Sequence, residues 1–202
     1  MFHSKHPSGE MHAAVRAISG GPIYVSDRPG EHDFELLKQL AAPDGELLLS
    51  DGPARPTRDC LFRDPQKDQK TVLKIFNTNC AGKLGVLGLF NIQGSSWDRS
   101  RRRFAMLHRE APLHAWARPR DVEAFRSERK SERTAERPTG EFAAFQRSKS
   151  EILLLPDGYH SIPVELGGGG LPAFRGDQFQ PCLADPARSA VRGHWFAGHD
   201  ES

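Results

Sequence analysis

An aspartate at the end of a short apolar run is the residue whose position in this sequence most clearly suggests chemistry. Asp27 follows the run "PIYV" at residues 22–25, which is rich in strand-forming side chains and too short for a helix. In parallel α/β folds, ligands bind at the carboxyl ends of the strands, where the loops meet. Asp27 is therefore either a ligand or orienting carboxylate at the rim of a site, or a turn or helix-capping residue before Pro29.

Three other motifs contain residues of suitable chemical types but lack the further residues that a site would need. His3 and His6 precede a predicted helix, but His12 is the one further ligand nearby, so we predict no metal site. Arg99 and Arg101–Arg103 form a basic cluster without interleaved aromatic side chains, which is typical of a solvated loop rather than a nucleic-acid surface. The run "LGGGGLP" lacks the lysine and hydroxyl residue of a phosphate-binding loop.

The elements around the aspartate are predicted to be a helix, a strand and a helix. Apolar residues recur with helical spacing over Met11–Ile18, and the two glycines that follow end this helix. A second amphipathic helix is predicted with Phe34, Leu37 and Leu40 on its apolar face. Short connections between such elements are typical of an α/β layer or barrel, so residues 1–45 are predicted to form one unit.

From about residue 46 the pattern changes to short strand-like runs bounded by turn residues. The runs are "GELLLSDG", "TVLKIFNTN", "GVLGLFNIQG", "GEFAAFQRS" and "SEILLLPDG". They predict a small antiparallel β-sandwich over residues 46–166, with Gly82 and Lys83 closing a hairpin between the second and third runs. An arginine-rich segment at about 98–140 is predicted to be a loop or partly disordered insertion, and residues 167–202 a flexible tail without strands.

Composition limits the classes of protein that remain. Of 202 residues, 37% are hydrophobic, and 19 glycines and 15 prolines leave room for a modest core with much irregular chain. The net charge of +2 is too small to indicate a nucleic-acid or membrane partner. Three widely spaced cysteines favour reduced thiols. We find no secretion signal and no apolar run near the ~20 residues that span a bilayer, so we expect a soluble protein of the cytoplasm, with the plastid as the alternative.

Four consecutive stretches together carry more information than any of these patterns alone. They are "MFHSKHPSGEMHAAVRAISGGPIYVSDRPGEHDFELLKQL", "PDGELL", "RPTRDCLFRDPQKD" and "VLKIFNTNCAGKLGVLGLFNIQGSSW", and they cover roughly residues 1–97. A weaker match follows at "EILLLPDGYHSIPVEL". With these motifs in this order, the sequence resembles the raffinose synthases, alkaline α-galactosidases and seed imbibition proteins of glycoside hydrolase family 36.

The resemblance implies a fold and a set of site residues. Residues 1–45 would be the last segment of a (β/α)8 TIM barrel, with "PIYVSD" as its eighth strand, and the C-terminal antiparallel β-sandwich would follow. Asp27 would then lie on the catalytic face close to the sugar. His3, Ser4 and Lys5 would follow the seventh strand and line the same mouth, which makes these four residues the substrate-binding candidates.

The resemblance also implies a reaction class. Family members are retaining enzymes that use two aspartates, whose carboxyl groups lie ~5–5.5 Å apart. In the family both belong to motifs upstream of anything matched here, so we assign no catalytic residue to this chain. It resembles the C-terminal portion of such an enzyme, since a complete barrel takes ~250 residues.

Several alternatives remain open from the sequence. The expected substrates are raffinose-family oligosaccharides, or galactinol with sucrose as acceptor, and neither hydrolysis nor galactosyl transfer needs a metal or organic cofactor. No residue distinguishes the two reactions, and none predicts the oligomeric state. The alternative from another class is a non-catalytic β-sandwich remnant that acts as a binding or assembly module.

Overall fold

The structure is a computed structural model, and it describes residues 1–47, 49–79, 82, 84–106, 112–126, 141–167 and 179–184. Helices α1 and α2 comprise Gly9–Ser19 and Phe34–Lys38. The strands are β1 Arg55–Pro56, β2 Leu73–Asn79, β3 Leu84–Phe90, β4 Ser95–Asp98, β5 Arg103–Met106, β6 Leu113–Ala117, β7 Phe142–Gln146, β8 Glu151–Leu155, β9 Ile162–Leu166 and β10 Phe179–Ala184. Single 3-10 turns lie at Arg58–Cys60, Pro119–Asp121, Glu123–Phe125 and Arg147–Lys149.

The strands pair in three antiparallel sheets. Six of them form one sheet in the order β1-β2-β3-β10-β7-β8, while β4 pairs with β5 and β6 pairs with β9. β2 and β3 form the predicted hairpin, with Asn79 opposite Leu84 and Gly82 between them at a φ of +80°. This largely antiparallel architecture is consistent with the β-sandwich expected from the sequence.

The main hydrophobic core lies between the six-stranded sheet and the β6–β9 pair. Alternate residues of β3, β6, β7, β8 and β9 point into it, because side chains of a strand point in turn to opposite faces. The buried residues of this core are Leu87 and Leu89 of β3, Phe142 and Ala144 of β7, Leu155 of β8, Leu113 and Ala117 of β6, and Ile162, Val164 and Leu166 of β9, together with Val72, Val122 and Phe125.

Helix α1 covers the opposite face of β3. Ile18 packs with Val86 and Phe90, and the other residues of the predicted helical face join this cluster, so that prediction is confirmed. Every residue of β3 is buried as a result. The helix ends at Gly20 in the left-handed conformation, with a φ of +71°, and a side chain there would collide with the carbonyl of Gly52.

The other side of α1 packs on a small N-terminal cluster. This cluster contains Phe2, Ala13, Leu36 and Leu40. The prediction of the apolar face of the second helix is wrong in part, since Leu36 is buried whereas Phe34 is 59% exposed. Asp33 caps that helix by accepting a hydrogen bond from the backbone N–H of Leu36.

The run "PIYV" does not form a full strand in this structure. Val25 makes a single parallel bridge with Phe2, in which the Phe2 N–H donates to Tyr24 O and the Ser26 N–H donates to Phe2 O. Tyr24 and Val25 are exposed because no second neighbour pairs with this segment in the described part of the chain. Likewise, the "GELLLSDG" run forms only a bridge between Leu47 and Ala41, and residue 48 lies outside the described residues.

The arginine-rich segment is not simply a loop. Its described portion contains β5, β6 and two 3-10 turns, and Leu113, Val122 and Phe125 lie in the main core. Charged residues obscured this pattern, because only alternate strand positions and one side of each turn need to be apolar. The predictions for residues 107–111 and 127–140 fall outside the described residues.

A buried lysine ties this segment to the sheet. The Lys74 ammonium on β2 lies 2.6 Å from an Asp59 carboxylate oxygen and 2.9 Å from one of Asp121, and donates to Trp116 O at 3.3 Å. Burial lowers the pKa of Lys74, but Asp121 and Asp59 outweigh that effect and raise it above its ordinary value. The ammonium is therefore fully partnered, as a buried charge must be.

The C-terminal tail also contributes to the sheet. Strand β10, at Phe179–Ala184, lies between β3 and β7, so the prediction of a tail without strands is wrong at these positions. Its residues "FQPCLA" have no regular polar-apolar alternation, so the sequence pattern did not indicate a strand here. The predictions for residues 168–178 and 185–202 fall outside the described residues.

Candidate functional site

Two loops meet where Phe2 and Val25 pair, and the first polar contact between them joins Ser4 to Asp27. The Ser4 N–H donates to Asp27 Oδ1 at 2.8 Å, and the Ser4 hydroxyl donates to Asp27 Oδ2 at 2.6 Å. The same hydroxyl accepts a hydrogen bond of 2.7 Å from the Asp33 N–H. Ser4 therefore joins the loop after Phe2, the loop after Val25 and the start of α2.

Two histidines flank the carboxylate. His32 Nδ1 lies 3.2 Å from Asp27 Oδ2, and His3 Nδ1 lies 3.7 Å from Asp27 Oδ1. A carboxylate only accepts hydrogen bonds, so His32 donates from Nδ1, and in the neutral ring Nε2 remains as an acceptor. The His3 side chain is largely exposed and that of His32 is partly exposed, so both imidazoles reach solvent beside a buried charge.

The environment of Asp27 favours its ionised form. Its side chain is 3% exposed. The hydroxyl of Ser4 is the main cause that lowers the pKa of Asp27, with further help from the Ser4 backbone N–H and from His32, and together these outweigh the opposite effect of burial. Because donors of the same chain occupy both oxygens, Asp27 can hold its neighbours in position better than it can bind an incoming hydroxyl.

Three of the four predicted site residues lie together. His3, Ser4 and Asp27 form one cluster, whereas Lys5 is exposed and makes no hydrogen bond to Asp27 within the described part of the chain. The sequence analysis missed His32. The signal for it is the Pro-Gly turn of "DRPGEH", in which Gly30 adopts a φ of +82° and the chain folds back toward Asp27.

A second pair of histidines lies close by. The rings of His6 and His12 stack with centroids 5.3 Å apart, and Phe2 meets His12 edge-on. Burial and the neighbouring His6 lower the pKa of His12. Among the described residues, no group of three or more His, Cys, Asp or Glu side chains could hold a metal ion, and no helix has the length and apolarity to cross a membrane.

Comparison with known proteins assigns the family. The family model described as "Raffinose synthase or seed imbibition protein Sip1" matches residues 1–169, so the chain belongs to that family. The probable galactinol–sucrose galactosyltransferase 6 of Arabidopsis thaliana is 45% identical over 169 residues, which are 82% of this chain and 22% of that protein.

Two further relatives agree with this assignment. The galactinol–sucrose galactosyltransferase of Oryza sativa subsp. japonica is 54% identical over 124 residues, which are 61% of this chain and 16% of that protein. The stachyose synthase of Pisum sativum is 52% identical over 104 residues, covering 52% of this chain and 12% of that protein. The chain thus spans about a fifth or less of the length of these relatives.

Proposed function

We propose that this chain belongs to an enzyme of galactosyl transfer among raffinose-family oligosaccharides, with galactinol as donor and sucrose as acceptor. The names of the relatives support the substrate class. The observation that carries the proposal within this chain is the cluster of Ser4, Asp27, His3 and His32 at the meeting of two loops. In this proposal the cluster forms part of the rim of the sugar site, and residues 1–202 correspond to the C-terminal portion of the enzyme.

The N-terminal topology supports the proposal that residues 1–45 are the end of a (β/α)8 barrel. Phe2 and Val25 pair in parallel, and α1 connects them. Parallel neighbours need such a crossover, usually a helix. Ser4 and Asp27 each follow the paired residue, on the side that corresponds to the carboxyl ends of barrel strands, where barrel enzymes bind their substrates.

The cluster would act by positioning hydrogen-bonding groups. Asp27 fixes the ring of His32 through a hydrogen bond, so that the outward nitrogen of His32 is held in one orientation, and the more exposed His3 lies 3.7 Å from the same carboxylate. Neutral imidazole offers one donor and one acceptor, which suits sugar hydroxyls. The two carboxyl groups of a retaining mechanism would come from other parts of the enzyme, and the cluster would orient the galactosyl donor or the acceptor against them.

Isolation of the natural protein from its own cells tests this function. An antibody against residues 55–63 would capture it for measurement of the intact mass, and for parallel assays of raffinose formation from galactinol with sucrose and of galactose release. We expect raffinose formation by the captured protein. Galactose release without raffinose would identify a hydrolase instead, and a captured protein of 22.5 kDa without either activity would contradict the proposal.

The substitution Asp27→Asn tests the role of the cluster in that natural enzyme. The asparagine keeps the shape and the oxygen that accepts from the Ser4 N–H, but it loses the charge and places an NH2 group where Oδ2 accepted from the Ser4 hydroxyl and from His32. We expect kcat/KM for raffinose formation to fall roughly 10-fold to 100-fold, the scale of a small misplacement of substrate. Asp44→Asn, in an exposed turn, is the control and should have no effect. Normal kinetics with a large loss of stability would show that Asp27 has only a structural role.

A further inference from the structure

The outer face of the β6–β9 pair presents an exposed aromatic ring between polar groups. In the antiparallel register, His114 lies opposite Glu165 and Trp116 lies opposite Pro163. The alternate residues of both strands point into the main core, so these four side chains point away from it. We refer to His114, Trp116, Pro163 and Glu165 as the outer face of β6–β9.

The exposed tryptophan is held on a rigid element. Trp116 is 52% exposed. Its backbone carbonyl accepts the hydrogen bond from the buried Lys74 ammonium, and its strand neighbours are core residues. The backbone that carries the indole is thus already ordered, and a ligand would lose little affinity in fixing it. A large ring that an ordered strand holds partly in water offers an apolar face on which a ligand can stack.

Hydrogen-bonding groups flank the ring on both sides along the strands. On one side, His114 Nδ1 and Glu165 Oε2 lie 4.0 Å apart, and both side chains are exposed. On the other side, Arg118 Nε donates to Ser161 Oγ at 2.7 Å. Beyond this pair, the Arg120 guanidinium lies 4.4 Å from the centre of the Tyr159 ring. Aromatic and polar cross-strand contacts therefore alternate over the length of the pair.

We propose that the outer face of β6–β9 is a surface binding site for a neutral, galactose-containing oligosaccharide of the raffinose class. A pyranose ring has an apolar C–H face that stacks on an indole, and its equatorial and axial hydroxyls bind carboxylate and imidazole groups at the ring edge. Trp116 supplies the platform, and Glu165 with His114 supplies the hydrogen bonds.

This site is separate from the loop cluster around Asp27. Its residues belong to β6 and β9, which pack on the main core at one face of β3, whereas the cluster belongs to residues 3–33, which pack with α1 at the other face. The choice of a galactose-containing sugar rests on the proposed function, but binding at Trp116 requires no galactosyl transfer. Raffinose binding and raffinose synthesis can therefore succeed or fail independently.

Fluorine NMR of the 202-residue chain labelled with 5-fluorotryptophan tests the proposal. The chain contains three tryptophans, and the variants Trp116→Phe and Trp97→Phe assign two of the resonances. On titration with raffinose we expect the Trp116 resonance to shift saturably in the millimolar range, while that of the equally exposed Trp97 stays in place. Glu165→Gln should weaken binding about 10-fold, the usual value of a hydrogen bond to a charged group.

Three outcomes would overturn the proposal. The first is a Trp116 resonance that does not respond to raffinose at concentrations well above the millimolar range. The second is an equal response to maltotriose, which would remove the specificity for galactose. The third is a Trp116 shift on simple dilution without sugar, which would show that a second copy of the chain covers this face.

Discussion

At the scale of single residues, Ser4 is as important to the candidate site as Asp27. Its hydroxyl donates to the carboxylate and accepts from the Asp33 N–H, and the residue is buried. When a buried hydroxyl with two partners is removed, both partners remain in the protein without that hydrogen bond, and the free energy of unfolding falls. The geometry thus depends on a residue whose type carries little information in the sequence.

The substitution Ser4→Ala should lower the free energy of unfolding by about 1–3 kcal/mol at pH 7, because Asp27 loses its strongest donor. Chemical denaturation measures this change. Ser26→Ala is the control, since its hydroxyl makes only long contacts, of 3.3 Å to Phe2 O and 3.5 Å to His3 Nδ1, and it should change stability by less than about 0.5 kcal/mol.

The difference in stability between the natural chain and the Ser4→Ala variant should depend on pH. The pKa of Asp27 is lower in the folded chain than in the unfolded one, so its contribution is present at neutral pH and is lost as the pH falls through the folded value. The stability difference between the natural chain and Ser4→Ala should therefore shrink below about pH 4, the ordinary range of an aspartate. A difference that stays constant from pH 7 to pH 3 would show that the hydrogen bond to the ionised carboxylate is not the cause.

At the scale of elements, β3 is the centre of the molecule. Helix α1 covers one of its faces, and the turns around Val122 and Phe125 cover the other. Gly85 allows this close approach, because a Cβ at that position would lie 2.5 Å from a ring carbon of Phe125 and 3.0 Å from a methyl carbon of Val122. The absence of a side chain here is thus a packing requirement.

The substitution Gly85→Ala should reduce the free energy of unfolding by about 1–3 kcal/mol through overpacking. Gly52→Ala is the matched control, since a Cβ there meets nothing within 4 Å. Thermal and chemical unfolding would compare the two. Combining Gly85→Ala with Phe125→Leu should restore part of the loss, because the smaller side chain makes room. Equal effects of the two glycine substitutions would contradict the packing of the arginine-rich segment on β3.

At the scale of the whole molecule, one end of the large sheet is left open. Strand β8 pairs only with β7 in the described part of the chain, and its outward residues Ile152 and Leu154 are apolar, with Leu154 80% exposed. An exposed edge strand has unpaired backbone groups that can pair with a strand of another chain, and its apolar side chains favour that association. The isolated chain should therefore self-associate as its concentration rises.

The substitution Leu154→Lys should reduce this association, because a charged side chain on an edge strand opposes strand addition. Sedimentation velocity over a range of concentrations measures the effect, and stability should change by less than about 0.5 kcal/mol. Phe62→Lys is the control: Phe62 is also exposed but lies in a loop, so we expect association to persist. If only Phe62→Lys abolishes association, the chains associate through the loop that contains Phe62 and not through β8.

Local patterns of the sequence were enough to predict one helix and four strands. Helical spacing with terminal glycines predicted α1, and turn-bounded apolar runs predicted β2, β3, β7 and β8, because periodicity and turn chemistry act over a few residues. The motifs placed the chain in its family. They also brought His3, Ser4 and Asp27 forward as candidates, and the sugar-binding role of these residues and of Lys5 remains a prediction.

Only the tertiary structure decided which polar segments belong to the core and which side chains meet. The placement of β10 between two strands distant in sequence, the burial of Val122 and Phe125, and the contact of His32 with Asp27 all depend on long-range packing. The burial of Lys74 between two carboxylates has the same origin. Such contacts join residues far apart in the chain, and the free energy that selects them comes from the fold as a whole rather than from any local pattern.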